Sequence, residues 1–151
     1  MADSSINDTT LQGSTTRSAL AALGPATHAA LRIGAGLLFM QHGAQKLFGL
    51  LGGVDGAGAT VPLLSQFGLA GVLEVFGGFL IVLGLFTRPV ALVLMLEMLA
   101  AYVIAHMPQG GFPIQNRGEL PLLFALVFAF FAGNGPGPAS LDRQIGKRRI
   151  G

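Results

Sequence analysis

Four side chains able to carry a charge or a proton stand inside runs that are otherwise apolar: His42 and Lys46 in one, Glu74 in a second and Glu97 in a third. Gln45 accompanies the first two. A charge at the centre of a membrane helix costs about 2.5–3.5 kcal/mol, whereas each Leu, Ile, Val or Phe contributes only about −0.3 to −0.6 kcal/mol. Such groups are therefore expected to face a bundle interior or a water-filled cavity, and each marks a candidate site. A lysine cation, an imidazole and two carboxyls, brought together, could hold a polar oxygen in apolar surroundings and pass protons to or from it.

Membrane helices are the elements that would position these groups. Only 11% of the 151 residues are charged, against about 25% in a soluble domain, and the mean hydropathy is +0.66. The length suits a single domain. No cysteine is present, which rules out disulfides, thiolate catalysis and Cys-ligated zinc or iron–sulfur clusters within this chain. A pI near 9.7 could point to nucleic acid, but four of the nine basic residues sit in one tail, Arg143, Lys147, Arg148 and Arg149. Beside membrane segments such a cluster marks the cytoplasmic side and anionic lipid, so nucleic acid is not an expected partner.

The chain reads as a disordered or loosely ordered cytoplasmic tail over 1–27, a transmembrane domain over 28–142 and a basic cytoplasmic tail over 143–151. Spans are expected over 31–51, 68–86, 90–107 and 117–133. Leu120 to Gly133 alone is short for a span, so the fourth needs Arg117 or Glu119 in its first turn. Thr87-Arg88-Pro89 ends one helix and opens the next, and the Gly135-Pro136-Gly137-Pro138 run stops the last. The stretch Gly52 to Gly58 lacks the Lys-Ser/Thr pair of a phosphate loop and reads as a flexible outer connection. Lys and Arg are absent from 52–67 but present at Arg88 and in the tail. The positive-inside rule then places both termini in the cytoplasm, with Glu119 offsetting Arg117 on the outer side. The fold class is all-α, an integral membrane four-helix bundle.

Helical spacing puts Gly36, Gly43 and Lys46 on one stripe, with His42 beside it, and Gly71, Glu74 and Gly78 on another. Glycines allow close approach, so the first two segments are expected to pack with Lys46 near Glu74. Glu97 lies nearer the midplane, and His106 should fall about half a turn away from it. Plainer readings stand beside these. Lys46 could snorkel to the interface, a Lys46–Glu74 pair could be structural, and Gln41 and Gln45 could serve as interhelical hydrogen-bonding groups. Two histidines, His42 and His106, are a weak haem signal, and no metal site is expected.

Three motifs carry a resemblance. Leu31-Arg32-Ile33 leads to Gln41-His42-Gly43-Ala44-Gln45-Lys46-Leu47-Phe48-Gly49. Glu74 then precedes Gly77-Gly78 and Leu83-Gly84-Leu85-Phe86-Thr87-Arg88, and Gly118-Glu119 precedes the Gly135 to Asp142 stretch that includes Ser140. Over roughly Leu31 to Asp142 the chain resembles the DoxX family of small bacterial inner-membrane proteins. The resemblance implies structural motif roles for Gly43, Gly77, Gly78, Arg88, Glu119, Ser140 and Asp142. It also implies a multi-pass inner-membrane location and a link to redox or oxidative-stress functions, in one branch as a subunit of a quinone-linked oxidoreductase and in another as a scaffold for redox enzymes.

From these a first expectation follows: a membrane component whose polar cavity, lined by His42, Gln45, Lys46, Glu74 and Glu97, binds a quinone or a lipid. There is no intrinsic cofactor, and any catalysis would need a partner subunit. The alternatives are a non-catalytic anchor for partner proteins and a small transporter; a homo-oligomer would be compatible with each.

Overall fold

The computed structural model describes residues 4–148, so Met1 to Asp3 of the expected N-terminal tail and Arg149 to Gly151 of the basic tail lie outside the described residues. The fold is all-helical, as expected. Helix α1 runs Ser4–Phe48, α2 Gln66–Leu83, α3 Thr87–Ala101, α4 Pro113–Asn116, α5 Glu119–Asn134 and α6 Leu141–Arg148. Beyond Ala101, α3 continues through a π turn, Tyr102–His106, and a 3-10 turn, Met107–Gln109.

The first boundary differs from expectation. Where a loose tail was read over 1–27, α1 is helical from Ser4, with Pro25 inside it. The alanines and leucines from Ala19 to Ala30 are strong helix formers and carry the helix through the proline. At about 1.5 Å per residue its 45 residues extend to roughly 68 Å, well beyond a hydrocarbon core of about 30 Å. Two segments, Gln66–Leu83 and Thr87–Gln109, are long and apolar enough to cross a membrane, and Glu119–Asn134 is a shorter apolar helix.

Helix α1 packs along α2, α3 along α5, and the two pairs meet through α2 and α3. The α1–α2 seam is built from glycine. A methyl group on Gly43 would stand 2.6 Å from the Gly71 carbonyl and from Val75, and one on Gly36 2.7 Å from the Gly78 carbonyl and from Val82. Replacing Gly43 by valine should therefore force the two backbones apart and lower the unfolding temperature of the detergent-solubilised protein; a melt unchanged from the parent would contradict this packing. Gly77 plays the same part toward α3, where a methyl would meet Leu94 at 2.6 Å. Phe39, Ile81, Leu94, Met98, Phe124, Phe128 and Phe131 form the core, with the Phe39 ring edge-on to Phe128 at 4.8 Å.

One end of the bundle is held by charged side chains bonded to helix termini, where backbone groups lack partners within the helix. The Arg32 guanidinium, fully buried, donates to the carbonyls of Ile81 (2.7 Å) and Val82 (2.5 Å) at the end of α2 and of Ala139 (2.7 Å) before α6. Arg88 donates to Ala132 (3.2 Å) and Gly133 (2.7 Å) near the end of α5. The Asp142 carboxylate accepts from the N–H groups of Phe86 (2.8 Å) and Thr87 (2.9 Å), capping α3 from a distant part of the chain. Phe86 and Ala139 both have positive φ, 49° and 53°, a costly conformation for residues with a side chain. Each is held by one of these charged groups.

At the far end, the Gly52 to Gly58 connection is more ordered than its composition suggests. The Asp55 carboxylate accepts from Ala59 (3.0 Å) and Ala57 (2.8 Å). These backbone donors, Ala59 foremost, hold that carboxyl below its usual range.

Candidate functional site

The half of the bundle away from Arg32 holds a half-open cavity of about 680 Å³, walled by α1, α2, α3 with its π turn, and the first turns of α5. Its lining is mostly apolar, and Phe39, Met98 and Phe124, all core residues, close it toward the middle of the bundle. Into it project His42, Lys46, Glu74, Glu97, His106 and Arg117.

Lys46 and Glu74 form an ion pair, which joins α1 to α2. The two sides of the pair are unequal. Glu74 is 2% exposed and Lys46 23%, so the carboxylate is embedded while the ammonium reaches the cavity. The glycines beside them explain the approach: a methyl on Gly71 would crowd Lys46 Cβ at 3.2 Å. One Glu74 oxygen, Oε2, and both Glu97 oxygens are buried without a hydrogen-bond partner among the described residues. Buried polar atoms are nearly always paired, and an exception on a cavity wall marks a place where a ligand or solvent group belongs.

His42 packs edge-on to Phe124, ring centres 5.9 Å apart. His106 also borders the cavity, and its Nδ1 lies 2.9 Å from the Asn116 carbonyl. Regular helical phase would have set His106 about half a turn from Glu97. The π turn changes this: the Met107 N–H bonds to the Tyr102 carbonyl five residues back, and the wider turn lags the regular helix, so both residues reach one cavity. No local sequence signal announces such a turn. Among the described residues, no three His, Asp or Glu side chains gather as a metal-ligating set.

The remaining expected residues separate from this cluster. Gln45 is not on the cavity; it lines a second groove, of about 360 Å³, with Leu38, Gln41, His42 and Leu120. Gly43, Gly77 and Gly78 lie in helix seams, Arg88 and Asp142 at the capped end, and Glu119 is exposed in the first turn of α5. The Ser140 hydroxyl donates to Gly137 at 2.9 Å beside the Arg32 guanidinium. The expected set did not include Arg32 itself, although Leu31-Arg32-Ile33 opens one of the motifs that carry the resemblance. It also missed Arg117, which lines the cavity from a left-handed backbone position, φ 56°.

Comparison with known proteins places this arrangement among relatives. A family model described as DoxX matches residues 27–107, the stretch that carries Arg32, the Lys46–Glu74 pair and Glu97. An uncharacterised protein of Haemophilus influenzae is 39% identical over 123 residues, covering 78% of this chain and 90% of the relative. An uncharacterised membrane protein of Mycobacterium tuberculosis is 33% identical over 144 residues, covering 85% and 87%. The Escherichia coli inner membrane protein YphA is 35% identical over 121 residues, covering 75% and 86%. No solved structure matches the chain.

Proposed function

We propose that this chain, which belongs to the DoxX family, crosses the bacterial inner membrane four times with both termini in the cytoplasm and holds a quinone-class molecule in its interhelical cavity. Support for the topology comes from charge. Arg88 and the basic residues of α6 share the Arg32 end, while the 52–67 connection has no Lys or Arg. At about 24 Å, α5 is short for a span and reaches the interface with Glu119 and Asn134 at its ends.

The observation that carries the ligand reading is the Glu97 carboxyl, without a hydrogen-bond partner among the described residues, which shares one apolar cavity with the Lys46–Glu74 pair and His42. A bound quinone would supply the two-electron chemistry. The residues of this chain bind, orient and manage protons. The Lys46 ammonium, with donors left over after the Glu74 bond, offers them to a carbonyl oxygen and stabilises negative charge there. Glu97 provides a second polar contact with no competing partner among the described residues, and His42 on α1 and His106 on the π turn line the same cavity as proton carriers. Apolar walls accept the ring and tail. Since the chain has no cysteine, electrons in this reading come from a partner protein. The scaffold reading draws support from a different feature, the exposed Arg143 and Lys147 side chains on α6, which could recruit a protein.

Mass spectrometry of small molecules co-purifying with the detergent-solubilised protein tests the ligand. The parent chain should retain a quinone that folded Lys46→Met and Glu74→Gln variants lose. Equal retention by all three would take the Lys46–Glu74 pair out of the binding site, and none by the parent moves the assignment to the scaffold.

A further inference from the structure

Along α1 one stripe of residues faces away from α2, and at Leu38, Gln41 and Gln45 it borders an open groove beside α5 instead of a packed helix seam. Leu31, Gly34, Leu38, Gln41, Gln45 and Phe48 follow one another at alternating spacings of three and four residues, the repeat that keeps a seam facing a second helix. At 100° per residue, Gly36 and Gly43, which are buried against α2, fall on the opposite side of the helix. The stripe therefore points away from α2. Leu31, Leu38 and Phe48 are exposed, and a methyl group on Gly34 would meet nothing within 4 Å.

Leucines in such a position are satisfied by lipid tails, but carboxamides are not. Elsewhere in the fold the amides of Gln109 and Asn134 donate to the carbonyl one turn back, at 2.6 and 2.9 Å. Gln41 and Gln45 make no such bond among the described residues, and Gln41 is exposed. Both border the groove between α1 and α5, whose other wall includes Leu120 and Phe124. Two hydrogen-bonding groups, one turn apart on a lipid-directed face, require a partner that donates and accepts at the same depth.

We propose that this stripe is the contact between two copies of the chain, α1 packing in parallel on the α1 of the second copy, with Gln41 and Gln45 bonded across the seam to the same residues. Copies inserted in one sense are related by a two-fold axis normal to the membrane, which sets each stripe against itself. A carboxamide both donates and accepts, so it pairs with its own kind. Gly34 lets the backbones approach, and the unbroken three-four spacing keeps the seam closed along the helix. The cavity adjoins the groove at His42, Leu120 and Phe124 but is not part of this seam.

The absence of cysteine makes the test direct, because one substitution introduces the sole thiol. In liposomes at a high lipid-to-protein ratio, oxidative cross-linking of the full chain should be strong for Gln41→Cys and Leu38→Cys. It should be about tenfold weaker for Leu96→Cys on α3 and Phe79→Cys on α2, which are exposed on other faces. The double variant Gln41→Leu/Gln45→Leu keeps the apolar seam but removes the amides. It should stay folded and dissociate to monomers at about tenfold higher protein density than the parent. Cross-linking at Leu96 or Phe79 as strong as at Gln41, no cross-linking at Gln41, or a dimer unchanged in the double leucine variant would each overturn the proposal.

Discussion

Arg32→Met should be among the most damaging single substitutions in the chain, with a loss of roughly 3–5 kcal/mol in folding stability, a large share of the roughly 5–15 kcal/mol a domain has. The side chain is fully buried and ties three carbonyls from two separate segments. Methionine fills much of the volume but donates nothing, leaving acceptors of Ile81, Val82 and Ala139 unsatisfied at about 1–3 kcal/mol for a buried group. Ala139 would also lose the contact that holds its positive φ. Arg32→Lys should recover only part of the loss, since one ammonium cannot reproduce the planar fork that spans the α2 terminus and the Ala139 loop. Membrane yield and thermal unfolding in detergent measure both variants. A methionine variant that melts with the parent would mean the capping network is not what holds that end together.

The second large effect separates stability from ligand binding at the Lys46–Glu74 pair. Lys46→Met alone leaves an embedded carboxyl without its cation, a defect of about 3–5 kcal/mol if the charge persists. Lys46→Met/Glu74→Leu removes both partners and should bring stability back to near that of the parent, because an ion pair in an apolar setting contributes little over well-packed apolar groups. Under the quinone reading the restored fold should still fail to retain the ligand. Parent-like retention by the stable double variant would mark the pair as purely structural and shift the binding role to Glu97 and the histidines. A double variant that stays as unstable as the single one would show that the pair contributes more than charge neutralisation to the α1–α2 seam.

These expectations differ in how far they could be read beforehand. Lys46 and Glu74 were legible as a pair because each shares a helix face with glycines, and a close glycine seam leaves few places for the neighbouring charges to go. His42 and Glu97 were legible because a polar group in an apolar run is costly wherever it sits. Gln45 was grouped with them by the same logic, yet the structure turns it to the opposite side of His42, into the α1–α5 groove. Helical phase alone does not say which neighbour a side chain between two faces will meet. His106 was set apart from Glu97 by assuming a regular helix, and one π turn reversed that.

The capped end was the least legible part. Arg88 and Asp142 stood out as members of short motifs, but their partners are backbone groups about 45 to 56 residues away in sequence, and a carbonyl or N–H carries no identifying side chain. Arg32 drew notice only within the Leu31-Arg32-Ile33 motif, with no partner attached to it.

By itself, then, the sequence determined the class of the protein, all-helical and lipid-embedded, along with most of the polar groups that must hide from lipid, because transfer energies and helical periodicity act locally and can be summed along the chain. Only the tertiary structure decided which of those groups share one cavity, which helix ends Arg32 and Arg88 satisfy, and which face of α1 is turned away from α2. Those outcomes depend on how helices distant in sequence rotate against each other, and that rotation is set jointly by every seam in the bundle.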